Sequence, residues 1–318
     1  MQQRNHTFWL IVIGAAFWGA TPVFRMLLLD SMTSTQIVLI EHIVLALVTA
    51  PILYAHRHEL ASLNWRDVGA LLFISWGGSA VASLLFTQGL TYGDMNAVLL
   101  LQKVQPIAAI LLARVLLKEK LPKQFSFLFP LALVGTYFLT FGFSFPLNGW
   151  GEVINVGSLY SLGAAVLWGG ATVMGRILLK KLQFETVTSL RFLLALPMLV
   201  LLYSISRDAW TLPTEATALT MIAVNLLISA LLPGLLSMML YYKGLGTMKA
   251  STATLAELSF PMTGLLVNWL VFQQEVTFAQ MIGFLLIWIA LFLISRQKDA
   301  ASPVQNGTVS SIPASPTR

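Results

Sequence analysis

The sequence predicts an all-α integral membrane protein of ten transmembrane helices, arranged as two inverted five-helix repeats. Three observations predict it. The 318-residue chain is 57% apolar and 10% charged, with a mean hydropathy of +0.79, whereas a soluble protein is roughly 45–50% apolar and about 25% charged. Long apolar runs recur along almost the whole chain, each near the ~20 residues a helix needs to cross a bilayer. The second half repeats the pattern of the first. The same composition excludes disordered and collagen-like chains. The absence of cysteine excludes a secreted disulfide scaffold, thiolate catalysis, Cys-based zinc sites and iron–sulfur clusters.

The expected spans lie near residues 7–29, 34–55, 67–88, 93–116, 124–144, 154–176, 185–205, 218–242, 250–272 and 277–296. They are too long and too uniformly apolar for barrel strands, which alternate over roughly ten residues. The first reads as an uncleaved helix rather than a signal peptide, because its apolar stretch is long and no convincing small-x-small cleavage site follows before Arg25 and Asp30. With the N-terminus on side one, fifteen of the 19 Lys and Arg fall in side-one segments. The other side has Arg25 and Arg207, and Lys103 and Arg191 lie within spans. This bias makes side one the cytoplasm, with both termini there, in the cell (inner) membrane. The net charge of +6 is then a topology signal rather than a nucleic-acid footprint. Trp9, Trp65, Trp150 and Trp210 lie near span ends and read as interface anchors. Residues 297–318, rich in Ser, Pro, Ala and Thr without periodicity, read as a disordered cytoplasmic tail.

The repeat runs from residues 1–146 to 147–296. Trp18-Gly19 parallels Trp168-Gly169, and His42 to Ala46 parallels Arg191 to Ala195. Gly89-Leu90 parallels Gly244-Leu245, and at the same offset Pro106 falls on Pro261. Each half closes a span with a glutamate, Glu119 and Glu275. Five spans is an odd number, so the second copy enters the membrane upside down. Inverted repeats set a substrate site near the midplane and expose it to alternate sides. The expectation is therefore a transporter rather than a membrane enzyme or receptor.

On these residues the chain resembles the drug/metabolite transporter superfamily, EamA type, over about residues 7–296. The Trp-Gly pairs, the Arg191–Ala195 element and the stretches Pro106–Glu119 and Pro261–Glu275 carry the resemblance. The first half departs from it, with Glu41-His42 where the second has Arg191, and the usual Gly-Glu ending is Lys-Glu and Gln-Glu here. The resemblance implies a secondary transporter, often an exporter of amino acids or other small metabolites.

Ionisable residues within spans each need a reason, since one costs about 2.5–3.5 kcal/mol at a helix centre. Lys103 lies near the middle of the fourth span, beside Gln102, with Asn96 seven residues earlier on the same face. In the ninth, Ser251, Thr254, Glu257 and Pro261 share one stripe. Proline clashes with the carbonyl four residues back. That carbonyl belongs to Gln102 for Pro106 and to Glu257 for Pro261, so each kink frees an acceptor beside a polar side chain. Lys103 and Glu257 are expected as partners across a midplane site, either a substrate-responsive pair or a permanent ion pair fixing helix register. Glu41 and His42 are candidates for proton coupling or for hydrogen bonds to a neighbouring helix. Arg191 is a candidate for coupling or substrate contact, or a side chain that snorkels towards the cytoplasm. Trp18 and Trp168 read as cavity walls or as packing beside their glycines, and Tyr92 and Tyr241 as residues of the pathway mouths.

There is no Gly-x-x-x-x-Gly-Lys-Ser/Thr loop, no His-Glu-x-x-His and no Gly-x-Ser-x-Gly. No catalytic residues, metal or cofactor are expected. The expected partners are a small-molecule substrate, membrane lipid and, in a coupled cycle, protons, with no nucleic acid. An amino acid or similar zwitterion is the expected substrate, because one cation and one anion flank the site. The alternatives are nucleotide-sugars or other anions, which call for several cavity cations, and an intramembrane hydrolase, which calls for a nucleophile–base pair at one depth.

Overall fold

The computed structural model describes residues 2–93, 95–121, 124–143, 155–210, 213–270, 273 and 275–296, without the side chains of 2–5, 95, 96, 100 and 268. The expected tail, the boundary at 146/147 and Trp150 lie outside the described residues. Among those described the chain is all-helical, with no strand. The helices are α1 (His6–Leu29), α2 (Ser34–Ala55), α3 (Trp65–Tyr92), α4 (Ala97–Leu116), α5 (Phe125–Phe141), α6 (Val156–Leu178), α7 (Phe184–Ser206), α8 (Ala216–Leu245), α9 (250–270) and α10 (Phe278–Ser295). Eight of them, all but α5 and α9, are long and apolar enough to cross a membrane. The protein is thus a multi-pass, all-α membrane protein. Leu47, Val115, Ile205 and Leu285 point outward, as lipid-facing positions of such helices do.

Local chemistry sets the helix starts. Thr33 caps α2 and Thr277 caps α10, each exchanging hydrogen bonds with a glutamine three residues on. Asn64 and Asp67 do the same for α3. Each such cap is worth about 0.5–2 kcal/mol.

Several helices are interrupted at matching places. α1 turns at Gly19 and Ala20 before resuming at Thr21. α3 and α8 each hold a π-helical stretch, Phe73–Val81 and Ala230–Leu236. Such wide turns expose backbone and re-aim side chains, and they cluster at functional sites. α4 and α9 each tighten into one 3₁₀ turn, Gln102–Val104 and Glu257–Ser259. Both turns end just before a proline-bearing helix start. The carbonyls four residues before Pro106 and Pro261 are not left free as expected, because each accepts from the backbone N–H three residues on, that of Gln105 and of Phe260.

The packing is interwoven. α1 lies on α8 and α9, while α6 lies on α3 and α4; α2 pairs with α7 and α5 with α10. Glycine permits two close approaches at the centre. A Cβ on Gly19 would sit 2.4 Å from the Phe260 carbonyl oxygen of α9. One on Gly169 would sit 2.9 Å from the Gln105 carbonyl oxygen of α4. Each first helix of a half therefore touches the other half at the residue just before the proline. The four helices so joined enclose the centre of the molecule.

Candidate functional site

A cavity of about 140 Å³, measured as space open to the centre of a water molecule, lies at this crossing. α1 gives it Trp18, Thr21 and Arg25; α2 gives Glu41 and His42; α3 gives Ser79, Ser83 and Phe86. From the other side come Trp168 and Thr172 of α6, Arg191 and Phe192 of α7, Ser229 and Tyr241 of α8, and Phe260 of α9, with Gln102 and Gln105 of α4 between. The π-helical stretches supply Ser79 on one wall and Pro233 and Gly234 on the opposite one.

Six aromatic residues, Trp18, Phe86, Trp168, Phe192, Tyr241 and Phe260, line the cavity. Trp18 packs on Tyr241 with ring centroids 4.9 Å apart, and Trp168 on Phe86 at 5.3 Å. The two contacts are equivalent, since Phe86 and Tyr241 stand at the same offset as Pro106 and Pro261. Trp168 is fixed further by donating its indole N–H to the Gly78 carbonyl oxygen at 2.8 Å. Rings held this way are preorganised walls, each with a polarisable face.

Of the charged residues on the cavity wall, Arg25 and Glu41 pair with each other, while Arg191 is held by hydroxyls. The Arg25 guanidinium meets Glu41 at 2.9 Å and also donates to the Thr87 hydroxyl and the Ser83 carbonyl oxygen. The second Glu41 oxygen accepts from Ser229. Both members of this ion pair are buried. Arg191 donates from Nε to Ser79 and from Nη1 to the Tyr242 hydroxyl, both at 2.7 Å. His42 turns its Nδ1 to the Val38 carbonyl oxygen at 2.8 Å and sets its ring edge against Phe192. Gln102, by contrast, leaves its Oε1 without a partner.

The expected Lys103–Glu257 pair takes a different form. No direct ion pair joins them among the described residues, and neither lines the cavity. The Lys103 ammonium sits 3.8 Å above the Phe260 ring, a cation–π contact. Glu257 accepts from the Tyr241 hydroxyl and from the Gln105 amide. Both of these donors belong to residues that do face the cavity. The physical reason is local. The 3₁₀ turn before each proline rotates these side chains away from the shared centre, and closer donors and rings satisfy both charges.

Three other expectations are corrected. Arg191 does not snorkel; it is buried at 6% exposure, with hydroxyls from α3 and α8 as its partners. Tyr92 is 63% exposed, packs beside Tyr160 and does not line the cavity. Thr254 is fully buried one turn before Glu257, outside the lining. Asn96 falls in the first turn of the helix that becomes α4, but its side chain lies outside the described residues. The lining does take in Trp18, Trp168, Gln102, Glu41, His42 and Arg191.

Sequence reasoning passed over Arg25, Ser79, Phe86 and Gln105. Arg25 was assigned to a helix end, yet α1 runs on to Leu29 and buries it. Its spacing of four from Thr21, also on the cavity, was the available signal. Phe86 was detectable as the repeat mate of Tyr241. Among the described residues no group of three His, Asp or Glu could hold a metal ion.

The model of the EamA-like transporter family matches this chain twice, over residues 7–141 and 155–296. The riboflavin transporter ImpX of Fusobacterium nucleatum subsp. nucleatum is 31% identical over 292 residues, spanning 90% of this chain and 96% of that protein. A solved crystal structure overlays with a TM-score of 0.70 at 15% identity, over 93% of this chain and 97% of its own. At that identity the likeness concerns the fold alone.

Proposed function

This chain belongs to the EamA-like transporter family, and from that premise we propose that its central cavity carries riboflavin or a close flavin. The protein is a small-metabolite transporter rather than an enzyme. The observation that carries the finer reading is the cavity's chemistry. Six aromatic residues surround hydrogen-bonding groups; Arg25 and Glu41 are paired with each other, and Arg191 is held by two hydroxyls. Such a lining suits a flat, uncharged heterocycle with a hydroxyl-rich tail. Trp18, Trp168, Phe86 and Tyr241 stack on the rings. Ser83, Thr172 and Ser229 serve the hydroxyls, and Arg191 and Gln102 the ring carbonyls and N–H. The name of the 31% identical relative supports the same substrate.

The architecture we propose is ten crossings in two inverted repeats, 1–146 and 147–296, with both termini cytoplasmic in the cell membrane. Support comes from the family model matching once per half, and from the matching contacts Gly19–Phe260 and Gly169–Gln105, and Trp18–Tyr241 and Trp168–Phe86. The interwoven packing means that the moving bodies are not the sequence halves. One is α1, α8 and α9; the other is α3, α4 and α6. Rocking these against each other, with α2 and α7 between, exposes the cavity to alternate sides.

Titration of purified protein with riboflavin tests the substrate. Stacking on Trp18 and Trp168 quenches flavin fluorescence, so saturable quenching is the expected result. An amino acid is the second reading, favoured by Arg191 and Glu41 lining one cavity. Absent quenching, with alanine or lysine protecting the protein against heat, selects it. Export, the direction the family resemblance suggests, is read from which face of a vesicle loads.

A further inference from the structure

Contacts between the halves fall into two kinds. Some obey the repeat. Thr33 at the start of α2 donates to Asp208, in the segment that follows α7. Gln183 at the start of α7 donates its backbone N–H to Glu59, after α2. These join nearly equivalent positions, a helix start to a carboxylate just beyond the partner helix, once at each end of the molecule. A contact present at both ends survives when the two repeats exchange conformations, so it belongs to the fixed frame.

Glu119 makes the other kind. After α4 ends, Lys118 takes a left-handed conformation (φ 53°) that turns the chain and aims Glu119 across to α9. Its carboxylate accepts from the backbone N–H groups of Ala250 and Ser251, both at 3.0 Å, and from the Ser251 hydroxyl at 2.8 Å. These groups open α9, where the unpaired N–H groups and the helix dipole favour an anion. The contact ties α4 of one moving body to α9 of the other, at the end rich in Lys and Arg. At the opposite end the chain repeats the device. After α9, Gln273 adopts the same left-handed conformation (φ 54°), and Glu275 follows one residue further along than the repeat requires. Glu275 is exposed and has no hydrogen-bond or ion-pair partner among the described residues. Its counterpart target is the first turn of the helix that leads into α4, at Met95 and Asn96.

Resting on the inverted-repeat reading above, we propose that Glu119 and Glu275 are alternating latches. Glu119 holds the cytoplasmic end shut by capping α9 in the state seen here. Glu275 caps the turn that leads into α4 and holds the outer end shut in the other. Only one latch is closed at a time, so breaking one biases the protein towards the state closed by the other.

The chain has no cysteine, so a single reporter is unambiguous. Ser83→Cys, a near-isosteric change in the cavity wall, is labelled with a membrane-impermeant thiol reagent from each face of oriented vesicles. Adding Glu119→Gln is expected to raise the ratio of cytoplasmic to outer labelling roughly tenfold, the scale of losing a charged hydrogen-bond acceptor. Adding Glu275→Gln is expected to lower that ratio. Equal labelling in all three backgrounds, or a shift in the same direction from both glutamines, overturns the latch assignment. Riboflavin quenching is measured in parallel on unlabelled protein that keeps Ser83. If it persists while the ratios stay flat, the latches fail and the substrate reading stands; if it is absent while the ratios move, the reverse holds.

Discussion

Glu41→Gln removes one charge from the buried ion pair with Arg25 and leaves the guanidinium facing a neutral amide. The charged atoms are 2.9 Å apart, so at an effective dielectric of ~20 their attraction is about 6 kcal/mol. Much of that offsets the desolvation of both groups, and the net cost of removing one partner of a buried pair is about 3–5 kcal/mol. Arg25 keeps its bonds to Thr87 and the Ser83 carbonyl oxygen, which places Glu41→Gln at the lower end of that range. The double variant Arg25→Met, Glu41→Leu removes both charges at similar volume and is expected to recover most of the loss. Reversible unfolding in mixed detergent micelles, followed by far-UV circular dichroism, reads the free energies of Glu41→Gln, of the double variant and of its two components, Arg25→Met and Glu41→Leu. A coupling energy of roughly 2–3 kcal/mol between the two sites is the expected outcome. Losses under about 1 kcal/mol in the single variant, or a double variant that loses the sum of the singles, would refute the view that this pair is held against its own desolvation cost.

Other outcomes follow from the same geometry. Gly19→Ala sets a methyl 2.4 Å from a backbone oxygen of α9 and is expected to lower the folded yield sharply. Gly69→Ala, which meets nothing within 4 Å, is expected to stabilise α3 by about 0.5–1 kcal/mol in the same unfolding assay. Trp18→Ala removes a stacking wall and is expected to raise the riboflavin Kd about tenfold by fluorescence titration, with Trp18→Phe recovering most of it. Glu257→Gln loosens Tyr241 and Gln105 without touching the cavity directly. Its expected signature is a flux rate reduced about tenfold or more with binding changed only a few-fold, since it acts through residues that must move; equal losses in both would mean that Glu257 meets the substrate itself.

The helices were readable because ~20-residue apolar runs have few other uses, and the prolines because a missing N–H always disturbs the same upstream carbonyl. Trp18 and Trp168 could be assigned to the centre because the repeat marks them twice. What the residues do not encode locally is which partner a charge selects. Arg25 finds Glu41 sixteen positions away and Thr87 sixty-two away, a choice made by the rotation of three helices about their axes. The same rotation carries Lys103 onto Phe260 and Glu257 onto Tyr241 and Gln105, although spacing alone pointed each at the other. Arg191 illustrates depth. Its place near a helix start suits a side chain reaching for water, but Ser79 and Tyr242 meet it first.

The central claim, a flavin carried through the aromatic cavity, is tested most directly by flux. Proteoliposomes holding the protein take up labelled riboflavin while protein-free vesicles do not. The account predicts saturable uptake that unlabelled riboflavin competes away and that Trp168→Ala slows about tenfold at low substrate. Uptake indistinguishable from protein-free vesicles, from the same preparation that carries labelled amino acids, would contradict it.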